Sequence, residues 1–145
     1  MKAVVQRVKR TTLSVDGKLI SEIPFGLTVF LGIKCGDTQA QADYIAKKIA
    51  NLRIFEDENG KMNLSVKDVG GEVLLVSQFT LYGDTSHGNR PSFTLAERPE
   101  LAQPLYEYAV EALRLHGVTV KTGVFGADMK IEQYNDGPVT VLLEN

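Results

Sequence analysis

Thr11-Thr12-Leu13-Ser14-Val15-Asp16-Gly17-Lys18-Leu19-Ile20-Ser21-Glu22-Ile23 is the stretch that decides the fold. Residues 11–15 alternate ahead of Asp16-Gly17, a pair that favours a two-residue hairpin turn because both central positions of such a turn need positive φ. Residues 18–23 are therefore expected to return beside 11–15. Upstream, residues 3–8 are rich in β-formers. Downstream, residues 26–33 form a mostly apolar run suited to a buried strand. Four strands thus follow one another with no helix between them. The expected fold class is α+β, with largely antiparallel, curved, barrel-like sheets covered by two main helices. A doubly wound parallel fold would need strand–helix alternation, which the sequence does not display.

The first helix is expected over residues 38–53. Thr38 and Gln41 fit a capping box, and Ala42, Ile45, Ala46, Ile49 and Leu52 recur at helical spacing. Asp57-Glu58-Asn59-Gly60 reads as a turn, and residues 73–79 as a second buried strand. The second helix falls within residues 99–116, with Leu101, Leu105, Tyr108, Ala109, Ala112 and Leu115 as its apolar face and Gly117 as C-cap. Pro104 predicts a kink or a later start. Residues 118–122, 130–134 and 139–143 complete the strands.

At 145 residues the chain is the size of one domain, taken as 1–145, and 43% hydrophobic with 23% charged residues is ordinary for a soluble globular protein. The N-terminus lacks the apolar run and cleavage site of a signal peptide, and no apolar segment approaches the ~20 residues of a membrane helix. Cys35 is the single cysteine, so no intrachain disulfide can form, and a cytoplasmic location is expected.

Few side chains invite a chemical role. Cys35 lies in a turn beside Gly36 and Asp37, with only Lys34 to lower its pKa, and reads as an inert thiol. His87 and His116 lack metal-ligand spacing; His116 ends a helix, where a cation suits the dipole, and His87 sits in a polar loop. Ser77 and Thr80 close the strand in Ser77-Gln78-Phe79-Thr80-Leu81. They read either as backbone-bonded polar residues or as nucleophiles, but a nucleophile needs an adjacent base and the motif supplies none. Asn135-Asp136-Gly137-Pro138-Val139-Thr140 interrupts a strand-like C-terminus. It reads as a turn or bulge, or as a backbone recognition surface if the Gly-Pro bond is cis, with two carbonyl oxygens presented to an amino group.

These two segments together resemble the paired signatures of the bacterial D-aminoacyl-tRNA deacylases, proofreading hydrolases that free tRNA from D-amino acids. The resemblance runs over essentially the whole chain, through Met1 to Arg7, Arg53-Ile54-Phe55, Gly60-Lys61-Met62-Asn63, Arg90-Pro91-Ser92-Phe93 and Phe125-Gly126-Ala127-Asp128-Met129. It implies a cytoplasmic homodimer acting on the 3′ end of aminoacyl-tRNA without cofactor or metal. Ser77, Gln78, Phe79 and Thr80 would form the catalytic segment. Gly137 and Pro138, in a cis bond, would reach into the partner's site and exclude L-aminoacyl groups. Thr80 would not be a covalent nucleophile.

Backbone N–H groups near Gln78 and Phe79 could then form an oxyanion hole, and the ribose hydroxyl next to the ester could help activate water. If Gly137-Pro138 holds the amino group, many D side chains should be accepted and glycyl esters should also be cleaved. Phe79, with Phe125, Ala127 and Met129, would form the pocket for the terminal adenosine, although each of these residues reads equally well as core. The net charge of −2, with only a local cluster at Arg7, Lys9 and Arg10, suits contact with a short RNA end rather than a long helical track. Two other readings remain: a dimeric RNA-end binder that leaves the ester intact, and an esterase with Thr80 as nucleophile.

Overall fold

Asp16 and Gly17 take φ of 51° and 73°, the paired positive values that the hairpin turn requires. In this computed structural model, which describes residues 1–145, they join β1 (Lys2–Val15) to β2 (Lys18–Ile23). Thr11 pairs with Ile23 and Val15 with Lys18. The two strands expected at 3–8 and 11–15 are one continuous strand. Exposed Lys9 and Arg10 look like a break in the sequence, but β1 pairs on through them with β8 (Met129–Glu144), with register shifts between Gln6 and Val8 and between Val8 and Arg10. For the same reason the C-terminal pair of expected strands is also one, running straight through Gly137-Pro138. The first half of β1 takes β3 (Gly26–Gly32) as its other neighbour, and the second half takes β2.

Helix α1 (Gln39–Asn51) starts at Thr38 with the expected capping box. A small hairpin, β4 (Phe55–Glu56) with β5 (Met62–Leu64), encloses the 57–60 turn. Then come β6 (Glu72–Ser77), α2 (Pro99–Leu115) and β7 (Thr119–Thr122). β6 lies parallel to both β3 and β7. The helices are therefore crossovers, and β3–α1–β6–α2–β7 does alternate. That alternation was hidden by the intervening β4–β5 hairpin. The result is a mixed, mostly antiparallel sheet in the order β2-β1-β3-β6-β7, with β8 on β1. It curls until β2 meets β7, where Ser21 Oγ donates to the Thr122 carbonyl at 2.6 Å and Lys121 Nζ to that of Glu22 at 2.8 Å.

Strand alternation divides the interior in two. Ala3, Val5, Leu27, Val29, Leu31, Val73 and Leu75 face the helices in the main core, while Val8, Leu13, Ile23, Leu74 and Val76 fill the concave side. Each fully buried Leu, Ile or Val contributes about 1.5–3 kcal/mol.

Helix α2 differs from its expected form in two ways. It begins at Pro99, not later: Pro99 suits the first turn, and exposed Pro104 removes one hydrogen bond from the solvent side. Its buried face is also rotated. Ala102, Tyr106, Ala109, Val110, Ala112 and Leu113 face inward, whereas Leu101 and Leu115 are exposed. Small residues at the contact let α2 approach the alanine-lined face of α1, and Tyr106 finds a buried acceptor. Gly117, at φ 81°, ends the helix as expected.

Candidate functional site

β6 ends at Ser77, two residues before the expected end of the strand at 79. The Gln78 amide still bonds the Leu31 carbonyl at 2.8 Å, and then a 3₁₀ turn takes over at Phe79–Tyr82. Strand alternation therefore does not sort Ser77 and Phe79 from Gln78 and Thr80. Gly32, at the end of β3, permits the departure. A Cβ there would stand 3.0 Å from the Gln78 carbonyl oxygen and 3.1 Å from Leu81 Cβ. Tyr82 anchors the far end of the turn as a buried side chain.

The turn changes which amides are available. The Gln78 N–H is spent on the sheet. The Phe79 and Thr80 N–H groups open the 3₁₀ turn, where no intrahelical acceptor exists. They, rather than the Gln78–Phe79 pair, are the donors that an anionic oxygen can use. Gln78 Nε2 donates to Thr80 Oγ1, tying the two side chains together.

Beside this turn lies a mainly apolar cleft of about 660 Å³. Its walls bring Ser77, Gln78 and Phe79 together with Phe125, Ala127 and Met129. The expected catalytic segment and the expected base pocket are thus contiguous, although Thr80 is not a wall residue. Sequence reasoning gave no role to Phe93, which lines the cleft and packs edge-on against Phe79 at 5.2 Å between centroids. Its only sequence signal was its place in the Arg90-Pro91-Ser92-Phe93 segment.

Tyr106 supports the floor. Its hydroxyl donates to the Leu75 carbonyl at 2.7 Å, its ring lies 5.8 Å from that of Phe125, and burial pushes its phenol well above the ordinary range. Two carboxylates line the cleft. Glu97 accepts the Gly36 and Arg98 amides, and Asp128 pairs with Lys130. His87 lies in the exposed loop with Nδ1 2.8 Å from Ser86 Oγ, and His116 caps α2. Cys35 is exposed, with Sγ 3.2 Å from the Ala96 carbonyl oxygen.

Gly137 and Pro138 do not join the cleft of their own chain. Their peptide bond is cis, and they sit exposed within β8, six residues beyond the cleft residue Ile131. At ~3.3 Å per residue this is roughly 20 Å of strand. Gly137 takes φ 123°, and a Cβ there would meet Val139 Cγ2 at 2.8 Å and Val139 N at 2.9 Å, so only glycine fits.

Arg7 holds this segment. Its buried guanidinium donates through Nη1 to the Ile54 carbonyl at 2.7 Å and through Nε to the Asp136 carbonyl at 3.3 Å, with Asp136 Oδ2 at 3.1 Å. Lys9 Nζ adds a contact to Asp136 Oδ1 at 3.4 Å. In the sequence Arg7 looked like part of a basic cluster; only a buried position on β1 distinguishes it from Lys9 and Arg10.

Known proteins resemble the chain over nearly its whole length. The profile of the D-Tyr-tRNA(Tyr) deacylase family matches residues 4–144. A D-aminoacyl-tRNA deacylase of Syntrophomonas wolfei is 58% identical over 145 residues, covering 100% of this chain and 97% of the relative. One of Bacillus cytotoxicus is 54% identical, at 100% and 99%. Among solved structures, the c-Myc DNA Unwinding Element Binding Protein superposes with a TM-score of 0.94 at 47% identity, covering 100% of this chain and 99% of that one. A structure described as a probable eukaryotic D-amino acid tRNA deacylase gives 0.84 at 16%, covering 98% and 97%, a likeness of fold.

Proposed function

Because the chain belongs to the D-Tyr-tRNA(Tyr) deacylase family and is an ester hydrolase acting as a D-aminoacyl-tRNA deacylase, we propose that it cleaves the ester at the mouth of the 3₁₀ turn, using backbone donors and the substrate's own ribose. The observation that carries this reading is that the turn whose Phe79 and Thr80 amides are uncommitted adjoins an aromatic-walled cleft through Ser77, Gln78 and Phe79.

The terminal adenine sits in the cleft against Phe79, Phe93 and Phe125, since an unpaired base stacks well on aromatic faces. The ester carbonyl then lies at the turn. Water attacks the carbonyl carbon, and the charge that develops on oxygen is taken by the two N–H groups. Each well-placed donor of this kind contributes about 3 kcal/mol. The adjacent ribose hydroxyl relays the proton from water to the leaving ribose oxygen. The ester is already activated, so no strong base is needed. Thr80 Oγ1, which accepts from Gln78, positions that side chain rather than attacking.

Gly137 and Pro138 act on a second copy of the chain. Two features support this: the strand length between them and their own cleft, and the outer edge of β8, which no other strand covers. An uncovered edge of 16 residues is a template for association. In the homodimer, the Gly137-Pro138 backbone receives the α-amino group, a D side chain points to solvent, and an L side chain collides with the backbone. Glycyl esters pass for want of a side chain. The enzyme thereby serves translation quality control in the cytoplasm; no helix is long and apolar enough to cross a membrane.

Paired assays with D-tyrosyl-tRNA and L-tyrosyl-tRNA at equal enzyme test this reading. Release from the D ester alone is expected, and a D ester of 2′-deoxyadenosine-ended tRNA should react far more slowly. Equal hydrolysis of D and L esters would remove the role of Gly137-Pro138. A second reading, nucleic-acid binding without hydrolysis, is favoured by the 47% identity to the c-Myc DNA Unwinding Element Binding Protein. Binding of tRNA with no release of either amino acid would select it.

A further inference from the structure

Two cations that flank the cleft wall differ from Lys130 and Lys9. Lys130 is paired with Asp128 and Lys9 with Asp136. Lys34 and Arg98 are exposed, and neither makes an ion pair or a side-chain hydrogen bond. Neither lines the cleft itself, but both flank its wall. Lys34 follows the wall residue Ile33, Arg98 lies between the wall residues Glu97 and Pro99, and the two segments are bridged: Lys34 pairs with Ala96, and the Glu97 amide bonds the Ile33 carbonyl at 2.9 Å.

The acids nearby are already engaged. Asp37 takes the Met1 ammonium at 2.9 Å and the Lys34 amide at 2.7 Å. Glu97 takes the Gly36 and Arg98 amides at 3.2 and 2.9 Å. Glu100, exposed in the first turn of α2, is the remaining carboxylate of this rim and pairs with neither cation.

We propose that Lys34 and Arg98 form an anion-binding rim that holds the sugar-phosphate backbone of the single RNA strand leading into the cleft. The inference rests on the deacylase reading above, and it names the part of the substrate that the apolar cleft cannot read. A base seated on the aromatic walls leaves its 5′ phosphate at the mouth, where it needs a counter-charge. Two cations without carboxylate partners supply it, despite the protein's net charge of −2.

The test compares wild type, Lys34→Gln, Arg98→Gln and the double variant, with Lys47→Gln on the exposed face of α1 as a distant control. Two substrates are used, D-tyrosyl-tRNA and the D-tyrosyl ester of adenosine, which has no phosphate. On the tRNA, each rim substitution should lower the slope of log(kcat/KM) against log salt by about 0.7, and the double variant by about 1.4. KM should rise roughly tenfold in the double variant with kcat little changed. The adenosine ester should be cleaved equally by all variants.

An unchanged salt slope in the double variant would overturn the rim, as would equal losses on the two substrates, which would mean that the residues shape the cleft. Wild-type protein that cleaved neither substrate would overturn the deacylase reading, and the rim with it. Lys47→Gln should match wild type throughout.

Discussion

The Phe79–Tyr82 turn and the Asp136-Gly137-Pro138 segment are held in opposite ways. The turn grows from the end of β6, a strand with neighbours on both sides, and is backed by buried Tyr82 and the close approach at Gly32. The Gly-Pro segment sits mid-strand on β8, which has one neighbour, and its position depends on the polar contacts of Arg7. The core holds the turn, and Arg7, helped by Lys9, holds the Gly-Pro segment. The two can therefore be perturbed separately, and three sets of substitutions show how far.

The largest effect is expected from Arg7→Ala. It leaves the buried Ile54 carbonyl without its donor and the half-buried Asp136 with Lys9 alone, which costs about 2–3 kcal/mol. For a domain of this size that lowers Tm by roughly 10 °C, measurable by calorimetry. Arg7→Lys should recover little, because an ammonium cannot span the carbonyls that the guanidinium fork reaches. A Tm within a degree of wild type would show that β8 holds the segment unaided.

Gly137→Ala should act on selection alone. Its Cβ would meet Val139 at 2.8 Å with φ at 123°, so the segment must shift locally. Discrimination between D- and L-tyrosyl-tRNA should fall roughly a hundredfold, equivalent to about 2.7 kcal/mol. The rate on the D ester should stay within about threefold of wild type. Equal loss on both esters would mean that the two regions are coupled.

The smallest effects belong to side chains of the turn, where the backbone does the chemistry. Phe79→Ala should raise KM roughly tenfold through lost stacking and leave kcat nearly intact. Thr80→Ala should change kcat by less than about threefold. Loss of all activity in Thr80→Ala, or a trapped adduct on Thr80, would restore the nucleophile reading.

Much of this architecture can be read from the sequence because the responsible signals are local. The Asp16-Gly17 hairpin, the Thr38 capping box and the Gly117 stop each rest on the conformation of a few neighbouring residues. What could not be read depends on distant partners. β1 and β8 each looked like two strands, because the pairing that carries them past Lys9-Arg10 and Gly137-Pro138 is between residues more than a hundred positions apart. The α2 face was misread at Leu101 and Leu115 because the acceptor for Tyr106, Leu75 O, lies on another element. Ser77, Gln78, Phe79, Phe125, Ala127 and Met129 were named from the resemblance and line the cleft, but Phe93 and Arg7 were given no role, since theirs come from packing on Phe79 and from burial. The choice of Phe79 and Thr80 as free donors depended on a turn that an apolar run cannot announce.

The free amides of the turn carry a final consequence. They stand ready in the resting protein, with no rearrangement required to expose them. A catalyst armed in this way cannot economise on reactivity, because any ester that arrives in the right pose will be cut. On the proposed mechanism, every acylated RNA that the cell means to keep must therefore be spared by shape alone, at the door rather than at the blade.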